Sequence, residues 1–314
     1  MLDRDAQKII SLLEKNTSSG QRPATIFQDW LEMTDTALRM LPEHAASVAK
    51  TRQMAEDDEE GRMLWTRLSR TYRDRDHFDR FQEAFALLLN ASSDPGGSPT
   101  YKDTIGSIYM EFGNPSPRVG QFFTPLAIAK TMAMAVIDEK AVTKVVLQRV
   151  RAAIEAEPLL RMWLELEGLT VAATGGDMHV WAVESVLPRC GKHFKPVRVL
   201  DCCVGSGVML LAAASCLPTW MVQAGLVQFY GHDIDATAAL MANINIKLYG
   251  LNGWGLKYRI AGLEMLACIT QSDETATGIA DVMMPRGLTP RLPEPDFVLP
   301  DIGEQIGLFS PQTT

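Results

Sequence analysis

Twelve consecutive residues, Pro196-Val-Arg-Val-Leu-Asp-Cys-Cys-Val-Gly-Ser-Gly207, hold the most suggestive chemistry in the chain. Val197–Leu200 reads as a short buried strand that ends in an acid, Asp201, and turns through Gly205 and Gly207 into an apolar helix expected from Val208. Glycine at those two positions lets the backbone bend tightly and approach a ligand where a side chain would collide, and the following helix offers unpaired N–H groups. A dinucleotide-binding turn would read G-x-G-x-x-G, but here Met209 and Leu210 follow the second glycine, and Asp201 would repel phosphate. An acid at the strand end suits a cationic group. S-adenosylmethionine carries a sulfonium and an ammonium, so the turn fits that cofactor better than NAD; a tight strand-to-helix turn with no ligand is the alternative.

A second acid stands in a comparable place. Leu226–Tyr230 is an apolar strand, and Asp233 follows at its carboxyl end, the edge where ligands bind in open α/β sheets. Asp235 reads as a helix N-cap, and His232 has no partner histidine at metal spacing, so no metal is expected.

These residues are positioned by a 314-residue chain, long enough for one large or two ordinary domains. Its 46% hydrophobic and 22% charged residues are normal for a soluble globular protein and allow a real core. A net charge of −8 excludes a protein that grips nucleic acid through its global field. Any DNA contact is therefore local, weak for the isolated chain, or supplied through a partner. Five cysteines with neither C-x-x-C spacing nor an even framework read as reduced thiols; with a charged N-terminus that lacks a signal-peptide core, they point to the cytoplasm. The run Val208–Val227 tempts a membrane assignment, but Pro218, Gln223 and Gly225 interrupt it; a helix, a loop and the next strand explain it, and no membrane contact is expected.

Helical spacing dominates the first part of the chain. Ile9, Ile10, Leu12 and Leu13 form one stripe, and Ile26, Trp30, Met33, Ala37 and Leu38 another within Thr25–Met40, with Asn16–Pro23 between them. A third helix carries Met63, Leu64, Leu68 and Tyr72 beside Arg67, Arg70, Arg73 and Arg75, which alternate with Asp74, Asp76 and Asp79 and read as a solvated face rather than a phosphate site. After the breaker cluster Ala91–Pro99 comes a short helix over Asp103–Phe112, and Thr124 is expected to cap a helix that opens with Pro125. The Phe122–Phe123 pair before that cap reads either as packing against a neighbouring helix or as facing the same pocket as the glycine turn.

Three stretches together carry a family resemblance: Gly120-Gln-Phe-Phe-Thr-Pro125, Asp201-Cys-Cys-Val-Gly-Ser-Gly207, and Gly231-His-Asp-Ile-Asp235 followed by Ala242-Asn-Ile-Asn245 and Leu248-Tyr-Gly250. In this order they resemble the N6-adenine DNA methylase family, and most of all the methylation subunit of type I restriction-modification systems and its small phage and mobile-element relatives. The likeness spans roughly residues 60–265. It implies S-adenosylmethionine as cofactor, with Phe122, Thr124 and Pro125 closing over its methionine end, Asp201, Gly205 and Gly207 cradling it, and Asp233 taking the ribose hydroxyls. A carboxylate at that strand end is chemically able to accept both hydroxyl hydrogens. The fold class that follows is α/β: a helical N-terminal domain (1–115), a cofactor-closing segment (116–140), a mostly helical insertion (141–195), a reduced S-adenosylmethionine-binding methyltransferase core of Rossmann-like type (196–270) and a Pro-rich tail (271–314).

Two departures from the family pattern matter. The first is the insertion: Val145, Val146, Val150 and Ile154 predict one helix and Leu159–Leu166 another, with Lys144, Arg149 and Arg151 open to DNA or, alternatively, to solvent. The second bears on chemistry. Amino methylases of this family carry an Asn/Asp-Pro-Pro-Tyr/Phe element, because a flipped base must be stacked and its amine hydrogens accepted. No such element occurs in this sequence; Asp281-Val-Met-Met-Pro285 and Asp296-Phe-Val-Leu-Pro300 are the nearest, and Asp296 as acceptor with Phe297 as stacking ring are the only catalytic candidates. After an expected third strand at Tyr258–Ala261, about fifty residues cannot supply the remaining strands of a seven-stranded sheet in the usual form. Three readings stay open: a DNA adenine methylase-family protein acting alone or with a specificity or modification partner, a catalytically silent binding or regulatory relative, and a methyltransferase on RNA or protein. For the isolated chain, weak or no methyl transfer to DNA is expected.

Overall fold

The computed structural model describes residues 4–51, 55–112, 123–176, 181, 185–190 and 194–252. Helix α1 (Arg4–Lys15) buries Ile9, Leu12 and Leu13 of the expected stripe together with Ala6, while Ile10 is half-buried. A 3₁₀ turn at Asn16–Ser19 leads into α2 (Pro23–Thr51), which runs well past the expected Met40 and buries Ile26, Phe27, Trp30 and Leu31. Asp58 caps α3 (Glu59–Thr71) and Asp74 caps α4 (Arg75–Ser92), each carboxylate accepting a backbone N–H of the first turn. Leu68 and Tyr72 are buried as the stripe predicts, whereas Met63 is exposed. Arg67 lies on the exposed face as expected and is tied as well: its guanidinium donates to Asp29 at 2.8 Å, and Asp29 also accepts from the Tyr72 hydroxyl at 2.8 Å. That salt bridge anchors α3 on α2. Helix α1 packs along α4 and against the next helix, α5 (Thr104–Glu111), which Asp103 caps.

Helix α6 (Leu126–Val136) corrects the expected cap. Pro125, with ψ 137°, is the last extended residue, and its carbonyl accepts from Ile128 and Ala129 N–H at 2.9 and 3.0 Å. Proline therefore takes the cap position itself, and Thr124, one residue further out, makes no capping bond. Helices α7 (Glu139–Glu155), α8 (Pro158–Ala173) and the single turn α9 (Leu187–Cys190) form the expected helical insertion. Arg149 proves to be structural there, because it donates to the carbonyls of Lys195 and Pro196 at 2.9 and 2.6 Å and so fixes where the next strand begins.

Strand β1 (Val197–Asp201) is followed by α10 (Val208–Ser215), α11 (Thr219–Gln223), strand β2 (Val227–Gly231) and α12 (Ala236–Leu248). The stretch from Val208 to Val227 is thus a helix, a short helix and a strand, as its breakers imply, and no helix among the described residues is long and apolar enough to cross a membrane. The strands pair in parallel, in register from Val197↔Val227 to Asp201↔Gly231. Val227, Phe229 and Gly231 of β2 are buried on one face, but β1 is not the buried strand expected: Val197, Val199 and Asp201 are half-buried, Arg198 is exposed, and Leu200 is 60% exposed on the other face. The Asn252 side chain bonds both the N–H and the carbonyl of Phe229. The architecture is helix-rich with a two-stranded parallel sheet; the third expected strand, Tyr258–Ala261, lies outside the described residues.

One apolar core runs from α1 through α5 to β2 and α12. A smaller patch of Ala129, Ala133, Val208 and Ala212 joins α6 to α10, where small side chains let the two helices approach closely. Each large side chain in the core, such as Trp30, Phe27, Phe81 or Phe229, contributes about 1.5–3 kcal/mol by burial.

Candidate functional site

The parallel register brings the carboxyl ends of β1 and β2 side by side, and the two acids of the sequence reading meet there. His232 N–H donates to the Asp201 carbonyl at 2.8 Å and Val204 N–H to the His232 carbonyl at 2.7 Å, so each chain end holds the other as it leaves its strand. Between them the turn passes through Gly205 at φ 54° and Gly207 at φ 94°. Both angles lie in the left-handed region that disfavours residues with a Cβ. Space is short as well: a Cβ on Gly207 would lie 3.3 Å from the Ala242 Cα of α12.

Asp233 is the pin of this turn. One carboxylate oxygen accepts from Gly205 N–H at 2.9 Å and the other from Asp235 N–H at 3.0 Å. Each oxygen keeps a further lone pair for a ligand hydroxyl. Asp235 caps α12 by accepting from Thr237 N–H at 2.8 Å, as its position suggests. On the other strand, Asp201 Oδ1 accepts from Cys203 N–H at 3.0 Å, and its Oδ2 is enclosed with no hydrogen-bond partner among the described residues. An unpartnered, enclosed carboxylate oxygen is costly unless a donor or cation reaches it. Cys202 and Cys203 between the acids are exposed. The Cys203 thiol is pushed up, first by the charge of Cys202 and its hydrogen bond, then by burial, Asp201 and Asp233.

The closing segment reaches the same turn, but through a residue the sequence reading did not select. Phe122 lies outside the described residues. Phe123 is half-buried, 5.5 Å ring to ring from Tyr109 of α5, and its ring carbons come within 3.1 Å of where a Gly205 Cβ would sit. Phe123 thus packs on a neighbouring helix, the first of the two alternatives for the pair, and its ring also lies against the turn. Thr124 and Pro125 follow it at the start of α6. Asp296 and Phe297, the catalytic candidates, lie outside the described residues.

Three more residues were missed. Asp103, read only as the start of a helix, accepts from Ser206 Oγ of the turn, from Asn245 Nδ2 of α12 at 3.0 Å and from Gly106 N–H at 2.9 Å. Asn245 also donates to the Ser206 carbonyl at 2.8 Å. Desolvation pushes the Asp103 carboxyl up, against the three hydrogen bonds that favour its charged form. The signal available in the sequence was Asp103 three residues before Gly106, a cap followed by a position without a side chain. Its partner in the turn, a hundred residues away, left no such trace. No cluster of three or more metal-ligating side chains occurs among the described residues.

A family model described as N-6 DNA Methylase matches residues 183–267, less than half of the chain. No curated protein and no solved structure matches. The matched stretch contains both strands, the glycine turn, Asp233 and α12, two of the three stretches on which the sequence resemblance rests, and over these residues the chain is similar to the N-6 DNA methylase family.

Proposed function

We propose that the chain binds S-adenosylmethionine at the glycine turn and takes part in adenine-N6 modification of DNA together with a partner chain. The observation that carries this reading is the Asp233 carboxylate, held at the carboxyl end of β2 by Gly205 N–H at 2.9 Å while keeping lone pairs free. The local chemistry fits the cofactor: two glycines whose positive φ angles and tight surroundings disfavour a Cβ, and an enclosed Asp201 oxygen without a partner among the described residues. Asp233 would accept the ribose hydroxyls, Asp201 would face the cationic methionine portion, and Phe123 would wall the turn. When bound, the cofactor supplies an electrophilic methyl group; the protein's part is to orient it. A partner enters the reading because the sequence has no Asn/Asp-Pro-Pro-Tyr/Phe element to stack a flipped adenine and accept its amine hydrogens, and because a net charge of −8 does not favour a tight grip on DNA. That same absence favours a second reading, a cofactor-binding module with no transfer activity.

Titration calorimetry with S-adenosylhomocysteine tests the first step. Binding by the parent protein is expected, weakened by about 1.5–3 kcal/mol in Asp233→Ala, the range for hydrogen bonds to a charged group. No heat from the parent, or unchanged affinity in the variant, refutes it. Tritiated S-adenosylmethionine offered with DNA, RNA and protein acceptors then separates the readings. The purified chain alone should leave DNA at background, since losing one such stabilising contact costs about 10²–10³ in rate and here the whole set is missing.

A further inference from the structure

Helix α5 touches the glycine turn at both of its ends. At its N-cap, Asp103 binds the Ser206 hydroxyl from the turn and the Asn245 amide from α12, and Asn245 completes a triangle by donating to the Ser206 carbonyl. Ser206 and Asn245 are buried, at 0% and 1% exposure, so water does not replace these bonds if they break. Gly106 makes the approach possible, because a Cβ there would lie 2.6 Å from Ser206 Oγ. In the last turn of α5, Tyr109 meets Phe123, whose ring lies against Gly205. Just before α5, the Tyr249 hydroxyl at the end of α12 accepts from Lys102 N–H at 2.9 Å and donates to the Lys102 carbonyl at 2.8 Å. These contacts come from a helix outside the matched family segment, and none of them is needed to build β1, β2 or the α10–α11 crossover.

We propose that Asp103 is a positioning residue: through Ser206 and Asn245 it braces the Gly205–Gly207 turn from the helical N-terminal region, and so sets how well the turn binds its ligand. The ligand half of this statement rests on the cofactor reading above; the bracing half does not. Asp35 provides the control. It is another acid bonded to α12, accepting from Asn243 Nδ2 at 2.9 Å and Lys247 Nζ at 2.7 Å, but it ties α2 to α12 and makes no hydrogen bond to the turn among the described residues.

The test compares Asp103→Asn, the milder Ser206→Ala, and Asp35→Asn with the parent chain by amide hydrogen exchange and by thermal unfolding. Faster exchange at the Gly205 and Gly207 amides in the first two variants is expected, with no such change in Asp35→Asn even where its Tm falls by as much. Unchanged exchange at the turn in Asp103→Asn and Ser206→Ala, or equal acceleration in Asp35→Asn, overturns the proposal. Where the parent binds S-adenosylhomocysteine, the same two variants should bind it roughly 5- to 150-fold more weakly, the usual range of coupling between sites, and Asp35→Asn should match the parent. Parent protein that binds no S-adenosylhomocysteine overturns the cofactor reading while the exchange result still decides the brace.

Discussion

Gly106→Ala sets two effects of opposite sign against each other. In a helix, alanine is favoured over glycine by about 1 kcal/mol, and less in the first turn, where Gly106 sits two residues after Thr104. Against this, the new Cβ would lie 2.2 Å from Asp103 Oδ2, 2.6 Å from Ser206 Oγ and 2.7 Å from Asp103 Cγ. Carbon and oxygen do not approach that closely, so the Asp103 side chain must swing away. Doing so breaks the cap bond to Gly106 N–H, worth about 1 kcal/mol, and leaves the Ser206 hydroxyl and the Asn245 amide short of a partner, at about 1–3 kcal/mol for each group left unsatisfied. The penalties exceed the propensity gain, and a net loss of about 2–6 kcal/mol is expected. Urea denaturation with an unchanged m-value measures it. In an Asp103→Ala background the obstacle is gone and the Ser206 hydroxyl is free to rotate, so the same glycine replacement should cost less than about 0.5 kcal/mol or stabilise. A Gly106→Ala protein as stable as the parent, or a penalty that persists without Asp103, refutes the reasoning.

Other expectations follow from single observations. Because burial raises the folded-state pKa of Asp103 above the ordinary 3.8, the native state holds its proton more tightly than the unfolded chain. The parent-minus-Asp103→Asn stability difference should therefore be largest below pH 3.8 and fall as pH rises from there through the raised pKa; a difference that grows with pH contradicts this. Cys190 is buried with its thiol pushed up to about 12, while Cys202 and Cys203 are exposed. Native thiol titration should lose two groups in the Cys202→Ser/Cys203→Ser protein and none in Cys190→Ser, and the reverse outcome would place the turn in the interior. Duplex DNA should bind the purified chain no more tightly than roughly 10⁻⁴–10⁻⁶ M at physiological salt, with a steep salt dependence in filter binding. Tight sequence-selective binding by the chain alone would show that a local basic surface outweighs the −8 net charge.

Much of the site could be read in the sequence because it is written in local signals. A short strand that ends in an acid, two glycines two apart and an acid after a second apolar strand each reflect a conformation that neighbouring residues dictate, and the structure places β1, the turn, β2 and the Asp235 cap where those signals stand, although β1 is half-buried rather than buried. Boundaries were less legible. The expected Leu226–Tyr230 strand is Val227–Gly231, and Thr124 gives up its cap to Pro125, because strand pairing and the proline ψ, not side-chain type, decide where each element starts.

What only the tertiary structure decided is how distant pieces meet. Arg149, open in sequence to DNA or solvent, spends its donors on the carbonyls before β1, and Arg67 spends one on a buried acid of α2. Phe123 is seen to stand on the turn. Most of all, the Asp103–Ser206–Asn245 triangle joins residues more than a hundred positions apart in sequence. Periodicity and capping rules describe a residue's own helix or strand, whereas a hydrogen bond between elements depends on how those elements pack, which no local pattern records.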